Sequence, residues 1–196
     1  MTVTEELNPG DWRLAQAKRI VGDLLRRLGR HSEAMAEFGE ALVVAETCDP
    51  YRPSIESTVL TSISVLLTAQ GKHKDSLSVK LRGLQLDRQC LPDDHPNIAI
   101  SFFNIGASYF NLRCYSAALP YYQKALDISE ASRGLDHPHT KQFQSLVSRC
   151  RSRSPDFPAV LPDPLADDFS HPTVEGEAVE PATCASVAAM VAAFSL

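Results

Sequence analysis

The most constraining feature of this sequence is a tripeptide that recurs at a fixed interval. Asp-His-Pro occurs at residues 94–96 and again, 42 residues later, at 136–138. Between the two copies lie two stretches with helical spacing of apolar residues, separated by a turn near residues 112–114. A helix pair bracketed by the same start signal is typical of a repeat array. The interval therefore predicts stacked helix pairs, a type of fold that more often provides an interaction surface than an active site.

Small residues recur in the same register. Three series are each spaced by 42 and 42 residues: Gly22, Ser64 and Gly106; Ala34, Ser76 and Ala118; Ala41, Gly83 and Ala125. Small side chains at these positions predict a close approach of two helices, with Phe38 and Tyr122 filling the space beside them. Lys80 occupies the matching position in the middle repeat, and we expect its ammonium group to reach water.

These patterns predict an all-α fold, a right-handed α-solenoid of three helix pairs with a C-terminal capping helix. An N-terminal segment covers residues 1–10, and the repeat domain covers 11–153. The predicted pairs span residues 11–49, 53–91 and 95–133, and the capping helix spans 138–151. Helices of this kind are expected to begin at proline, which suits the first turn.

The last 43 residues differ in composition from the rest. Residues 1–153 hold 19 Lys and Arg against 17 Asp and Glu, whereas residues 154–196 hold seven acids and no Lys or Arg. Because the tail is acidic and six prolines interrupt it, we expect disorder over 154–181. The apolar stretch 182–196 either forms a short helix that docks on the repeats or forms no structure.

The third pair carries a resemblance to a known family. It runs from the first Asp-His-Pro at residues 94–96 to the second at 136–138, and includes Asn-Ile-Gly at 104–106 and Tyr-Tyr-Gln-Lys-Ala-Leu at 121–126. This pattern resembles a tetratricopeptide repeat, in the 42-residue form found in kinesin light chains and related scaffolds. The resemblance covers residues 11–151, and the first two pairs match it more loosely than the third does.

The resemblance implies a concave groove, lined by the first helix of each pair, that holds an extended peptide or a helix of a partner protein. An asparagine like Asn104 binds the main chain of cargo peptides in kinesin light chains, whereas Ile20 and Ser62 stand at the matching positions here. Phe103 and Phe110 have an alternative role, which is to pack against the capping helix at 138–151. The residues placed in the groove are Arg19, Asp23, Arg26, Thr58, Thr61, Val65, Thr68, Ile100, Phe103, Asn104, Ala107, Phe110 and Asn111.

No motif for catalysis or for a cofactor stands out. The five cysteines are odd in number and form no C-x-x-C pair, which indicates neither a disulfide framework nor a zinc site. Phosphate-binding and hydrolase motifs are absent from the sequence. Histidines His95, His137 and His139 lie beside acids at helix starts, where we expect Asp94 and Asp136 to cap the helices rather than to bind a metal. We therefore expect a protein that is not an enzyme and has no cofactor and no metal.

Composition and charge also limit the classes of possible partner. The near-neutral repeat domain argues against nucleic acid, which needs a strongly basic face. The polar N-terminus indicates no signal peptide, and no apolar run is long enough to span a membrane, so we expect a cytoplasmic protein. The expected partner is another protein or a peptide.

Two functions remain open. The first is a non-catalytic scaffold or adaptor that binds a partner in the groove. The second is a self-associating structural protein whose tail occupies the groove of its own or another copy. The acidic tail and the cluster Arg19, Arg26, Arg27 and Arg30 lead us to expect an intramolecular, salt-sensitive contact between them.

Overall fold

The computed structural model describes residues 10–154, 164 and 171–193, and this part of the chain forms eight helices. No extended strand occurs in these residues; one isolated bridge joins Val174 and Glu177. The predicted all-α class, with three helix pairs followed by a capping helix, is confirmed. The chain divides into two compact units, residues 1–90 with 181–196, and residues 91–180.

The first unit contains two helix pairs and the C-terminal helix. The helices are α1 (Trp12–Arg27), α2 (His31–Thr47), α3 (Pro53–Ala69), α4 (His73–Cys90) and α8 (Cys184–Ala192). Each pair packs along its length, and α3 also packs against α1 and α2. The core is formed by α2, α3 and α4 and is filled by large side chains that include Met35, Phe38, Leu60, Ile63 and Leu66.

The second unit contains α5 (Pro96–Asn111), α6 (Tyr115–Arg133) and α7 (Pro138–Arg153). Its core is aromatic: Phe102, Tyr109, Tyr121 and Tyr122 are at most 1% exposed. The rings of Tyr109 and Tyr121 stack with their centroids 5.4 Å apart. Helix α6 packs against both α5 and α7, so the capping helix closes the aromatic core.

The predicted close approach within the pairs follows from the small residues. A Cβ atom on Gly106 would lie 2.9 Å from a ring carbon of Tyr122, nearer than side chains tolerate. Gly22 stands in the same relation to Phe38 in the first pair. The missing Cβ atoms therefore let each aromatic ring lie directly on the neighbouring helix.

The middle pair has no aromatic residue at the position of Phe38 and Tyr122. Lys80 occupies the position of the aromatic residues, and its side chain is largely buried. Burial lowers the pKa of the Lys80 ammonium group to about 8. The expectation that this charge reaches water is therefore met only in part, because burial disfavours the charged form of the side chain.

The capping of two helices also differs from the expectation. His95 and His137 are the N-cap residues of α5 and α7, and each imidazole Nδ1 accepts a hydrogen bond from the backbone N–H two residues later, at 3.1 and 3.2 Å. The prediction that Asp94 and Asp136 cap these helices is wrong. Proline at the first helical position makes the preceding residue the cap, and the aspartates lie one residue further out.

The tail divides between the two units. Residues 155–163 and 165–170 lie outside the described residues, so the disorder expected there stays a prediction. In the described part, 171–180 belongs to the second unit and 181–193 to the first. The apolar stretch forms α8, capped by a reciprocal pair of hydrogen bonds between Thr183 and Ser186. Of the two alternatives for the apolar stretch, the described residues show the docked helix, over Cys184–Ala192.

Candidate functional site

The most polar part of the predicted groove is organised by the carboxylate of Asp23. Arg19 donates a hydrogen bond from Nη1 to Oδ2 of Asp23 at 2.8 Å, one helical turn away. Ser62 of α3 donates its hydroxyl to the same oxygen at 3.4 Å. Nε of Arg26 lies 3.7 Å from Oδ1, an ion-pair contact too long for a hydrogen bond. We call these four residues the Asp23 cluster; it joins α1 to α3.

The guanidinium groups of this cluster keep unused donors. Nε of Arg19 and Nε of Arg26 are buried and have no hydrogen-bond acceptor among the described residues. The side chains as a whole are 23% and 29% exposed, so both reach the surface. A buried N–H without an acceptor costs on the order of 1–3 kcal/mol. An acceptor oxygen from outside the chain would offset that cost if the side chain turned its Nε–H to the surface.

The α3 side of this face presents few free donors. The hydroxyls of Thr58, Thr61 and Thr68 donate to backbone carbonyls one turn earlier in α3, at 2.7, 3.0 and 2.8 Å. Val65 lies between them and is 44% exposed. This arrangement turns hydroxyl groups toward the helix and leaves an apolar side chain facing out. The α1–α3 face thus combines a charged cluster with the exposed apolar side chain of Val65.

In the second unit, two predicted groove residues serve the packing of α7. The ring of Phe103 stacks on Phe143 of α7 with centroids 5.1 Å apart. The guanidinium carbons of Arg149 and Arg153, also on α7, lie 5.0 and 5.4 Å from the ring centre of Phe110. These contacts favour the packing role that was the alternative for both phenylalanines.

The other predicted residues of α5 are more open. Asn111 is exposed, and Ile100, Asn104 and Ala107 are half-buried. The backbone carbonyl of Asn104 accepts a hydrogen bond from the Ser108 hydroxyl at 3.1 Å. Their membership of a partner groove stays a prediction.

One group of side chains has the composition of a metal site. Glu46, Glu56 and Cys184 each place one ligand atom within 4.8 Å of the others. The Glu56 carboxylate, however, already accepts from Arg82 at 3.1 Å and from the Tyr51 hydroxyl. A hydrogen bond to Glu46 and burial raise the pKa of the Cys184 thiol, which keeps it protonated. These side chains thus already have partners within the protein, and the bond between Cys184 and Glu46 joins α8 to α2.

A cavity of about 540 Å³ lies between α2 and α8. Its walls are mostly small and apolar, including Ala36, Gly39, Val43 and Ala188, with Lys18 among the polar lining residues. Sequence reasoning did not find this feature, because the docking position of α8 follows from no local pattern. The available sequence signal was Gly39, because a glycine inside a helix often marks a close approach of another element.

The described tail also meets the aromatic core of the second unit. The Tyr109 hydroxyl donates to the backbone carbonyl of Pro172 at 2.9 Å. The Tyr121 hydroxyl and Nδ1 of His171 are 2.7 Å apart. Burial lowers the pKa of His171, so its neutral form is favoured in this position. Residues 171 and 172 thus supply hydrogen-bond partners to two buried hydroxyl groups.

Comparison with known proteins identifies a known repeat in part of the chain. The model of the tetratricopeptide repeat family matches residues 55–131, which cover most of the second and third helix pairs. No curated protein matches the chain. None of the described helices is long and apolar enough to cross a membrane.

Among solved structures, the chain is similar to the crystal structure of BtubC (BKLC) from P. vanneervenii. The two are 16% identical with a TM-score of 0.65, and the match covers 74% of this chain. It covers 57% of BtubC, so the chain spans little more than half the length of that neighbour. At this identity the likeness shows the fold. The family match shows that residues 55–131 contain tetratricopeptide repeats.

Proposed function

We propose that the protein is a non-catalytic adaptor that binds a peptide or helix of a partner protein on the α1–α3 face. Tetratricopeptide repeats generally mediate contacts between proteins, which gives the broad class. The observation that carries the specific proposal is the Asp23 cluster, where the guanidinium groups of Arg19 and Arg26 each retain a buried Nε–H without an acceptor among the described residues.

The cluster suits a ligand that brings an oxygen acceptor. A backbone carbonyl or a carboxylate placed over Arg19 and Arg26 would receive charge-assisted hydrogen bonds. Val65, 44% exposed on α3, would meet an apolar side chain of the same ligand. A peptide that combines an acidic or main-chain acceptor with an apolar residue fits both features.

The finer part of the proposal concerns the type of adaptor. By its resemblance to the 42-residue repeats of kinesin light chains, we propose a cytoplasmic cargo adaptor. In that role Asn104 on α5 would bind the main chain of a peptide in the second unit, with Ile100, Ala107 and Asn111 around it.

A selection experiment tests the proposal. A library of random 12-residue peptides displayed on phage is selected on the full chain and then screened against the double variant Arg19→Ala/Arg26→Ala. The control is Arg133→Ala/Arg151→Ala, which removes a half-buried arginine from α6 and an exposed arginine from α7. We expect selected peptides that lose at least tenfold in affinity for the first variant and keep their affinity for the control. Selected peptides that bind both variants equally would contradict the proposal.

Self-association with the tail in the groove is the second candidate. It is supported by the finding that α8 packs on the repeats of its own chain. The described α8 contacts α2, and Ala182 donates its backbone N–H to Ser78 of α4 at 2.9 Å. Because these contacts involve the second helix of each pair and not the α1–α3 face, the adaptor role is better supported.

A further inference from the structure

A second surface of α1 carries large apolar side chains in contact with solvent. Ile20, Val21, Leu24 and Leu28 are 51%, 42%, 54% and 71% exposed. Residues three and four apart share one face of a helix, so these four side chains form a continuous stripe. We call this stripe the outer face of α1. Contiguous apolar surface of this kind on a folded chain marks an interaction site.

The repeat register shows what normally covers this face. Adding 42 to Val21 and Leu24 gives Ile63 and Leu66 of α3, and both are fully buried. Ile63 and Leu66 share a core with Met35 and Phe38 of α2, the helix that precedes α3. The outer face of α1 is therefore the surface that a preceding helix would cover, if it packed on α1 as α2 packs on α3.

The outer face is separate from the Asp23 cluster. Successive residues of a helix point about 100° apart, so positions 19, 23 and 26 face a different direction from 20, 24 and 28. This second surface is thus independent of the function proposed above.

Charge indicates the kind of helix that fits. Helix α1 carries five basic residues and one acid, Asp23. The side chain of Arg13, 65% exposed, and the exposed Arg27 lie at the two ends of the stripe. Helix α2, which covers the equivalent face of α3, contains four glutamates and no Lys or Arg. Two of them, Glu37 and Glu40, form ion pairs with Lys18 of α1, so an acidic helix already packs on another side of α1. A second α1 in this position would bring two basic helices together, which like-charge repulsion disfavours.

We propose that the outer face of α1 is a docking surface for an acidic amphipathic helix of a partner protein. The partner helix would present apolar residues at spacings of three and four, with glutamates or aspartates at its edges near Arg13 and Arg27. This is the helix-in-groove mode of recognition, with the apolar stripe providing affinity and the charges providing orientation.

The probe for the test comes from the chain itself. A synthetic peptide with the sequence of residues 31–47 reproduces the acidic helix that covers α3, and a hydrocarbon staple on its solvent side keeps it helical, because isolated helices of this length are marginal. A second stapled peptide replaces its four glutamates with lysine. Both are titrated against the full chain by fluorescence anisotropy in low salt.

We expect saturable binding of the acidic peptide and at least tenfold weaker binding of the lysine peptide. In the protein, Leu24→Gln/Leu28→Gln should raise Kd for the acidic peptide at least tenfold. The matched control is Val43→Gln/Leu135→Gln, which removes two apolar side chains of similar exposure, 61% and 62%, from other surfaces. It should leave Kd unchanged, and circular dichroism should show native helix content in both variants.

The following results would overturn the proposal. The first is no saturable binding of the acidic peptide. The second is equal binding of the two peptides, or equal Kd values for the Leu24→Gln/Leu28→Gln variant and the native chain. The third is a dimer of the native chain in sedimentation velocity that Leu24→Gln/Leu28→Gln dissociates, which would assign the outer face to a second copy of this chain.

Discussion

A Cβ atom added to Gly22 would lie 2.5 Å from the ring of Phe38. This distance is well inside van der Waals contact, so the first helix pair can close only because residue 22 lacks a side chain. The same relation joins Gly106 to Tyr122 in the third pair. The spacing of small residues in the sequence therefore indicates where the two helices of a pair are in contact.

Gly22→Ala should destabilise the protein by about 2 kcal/mol, because the added methyl forces Phe38 or the helix to move. Urea unfolding followed by circular dichroism measures the change. Gly83→Ala is the matched control, since its Cβ would meet only the Ser57 hydroxyl oxygen at 3.9 Å. In the control, better helix propensity should stabilise the protein by up to about 1 kcal/mol. Equal effects of the two substitutions would contradict this account of the interface.

Gly39→Ala should release α8 without unfolding the repeats. A Cβ at residue 39 would lie 2.5 Å from Cγ1 of Val191, a stiff β-branched side chain that cannot turn away cheaply. We expect faster hydrogen exchange over residues 184–192, with exchange in α3 unchanged. The double variant Gly39→Ala/Val191→Ala removes the clash and should restore protection of α8. Unchanged exchange in the single variant would show that α8 does not depend on this contact.

Much of the architecture followed from the sequence, and the reasons are local. Gly22 and Gly106 lie at the same position of different repeats, and each has its aromatic partner on the next helix, so the fixed period of the sequence reveals both contacts. The position of α8 did not follow, because its alanines and valines fit many surfaces and only the folded pair α2 and α4 selects one. The bond between Ser62 and Asp23 joins residues 39 apart in the chain, and it too depends on how two helices stack.

Lys80 gives the protein a pH-dependent stability. Its pKa of about 8 in the folded state lies below the ordinary value of 10.5, a difference that corresponds to roughly 3 kcal/mol. Below pH 8 both states are protonated and the cost of burying the charge is fully present. Between pH 8 and 10.5 the unfolded chain holds more protons than the folded one, so stability should rise with pH.

Lys80→Met should remove this dependence and raise stability at pH 7 by about 2–3 kcal/mol, because methionine fills the site without a charge. Thermal unfolding of both proteins at pH 7, 8 and 9.5 measures the difference between them, which should shrink as pH rises. Using the difference cancels the ionisation of tyrosines near pH 10. A constant difference would mean that Lys80 does not titrate in this range.

Phe103→Ala separates packing from partner binding in the second unit. If its stacking on Phe143 holds α7 in place, the substitution should cost about 2 kcal/mol. The measurement is urea unfolding, with Asn111→Ala as the control because residue 111 is exposed on the same helix. Unchanged stability of Phe103→Ala would contradict the packing role and favour a role of Phe103 in the partner-binding groove.

The most direct test of the adaptor proposal is a map of where a selected peptide binds. Backbone amide shifts of the isotope-labelled full chain are followed by NMR during titration with that peptide. The account predicts the largest changes at the Asp23 cluster and around Val65, with saturation at one affinity across these residues. Changes confined to other helices, with Arg19, Asp23 and Val65 unaffected, would contradict the central claim that the α1–α3 face is the binding site.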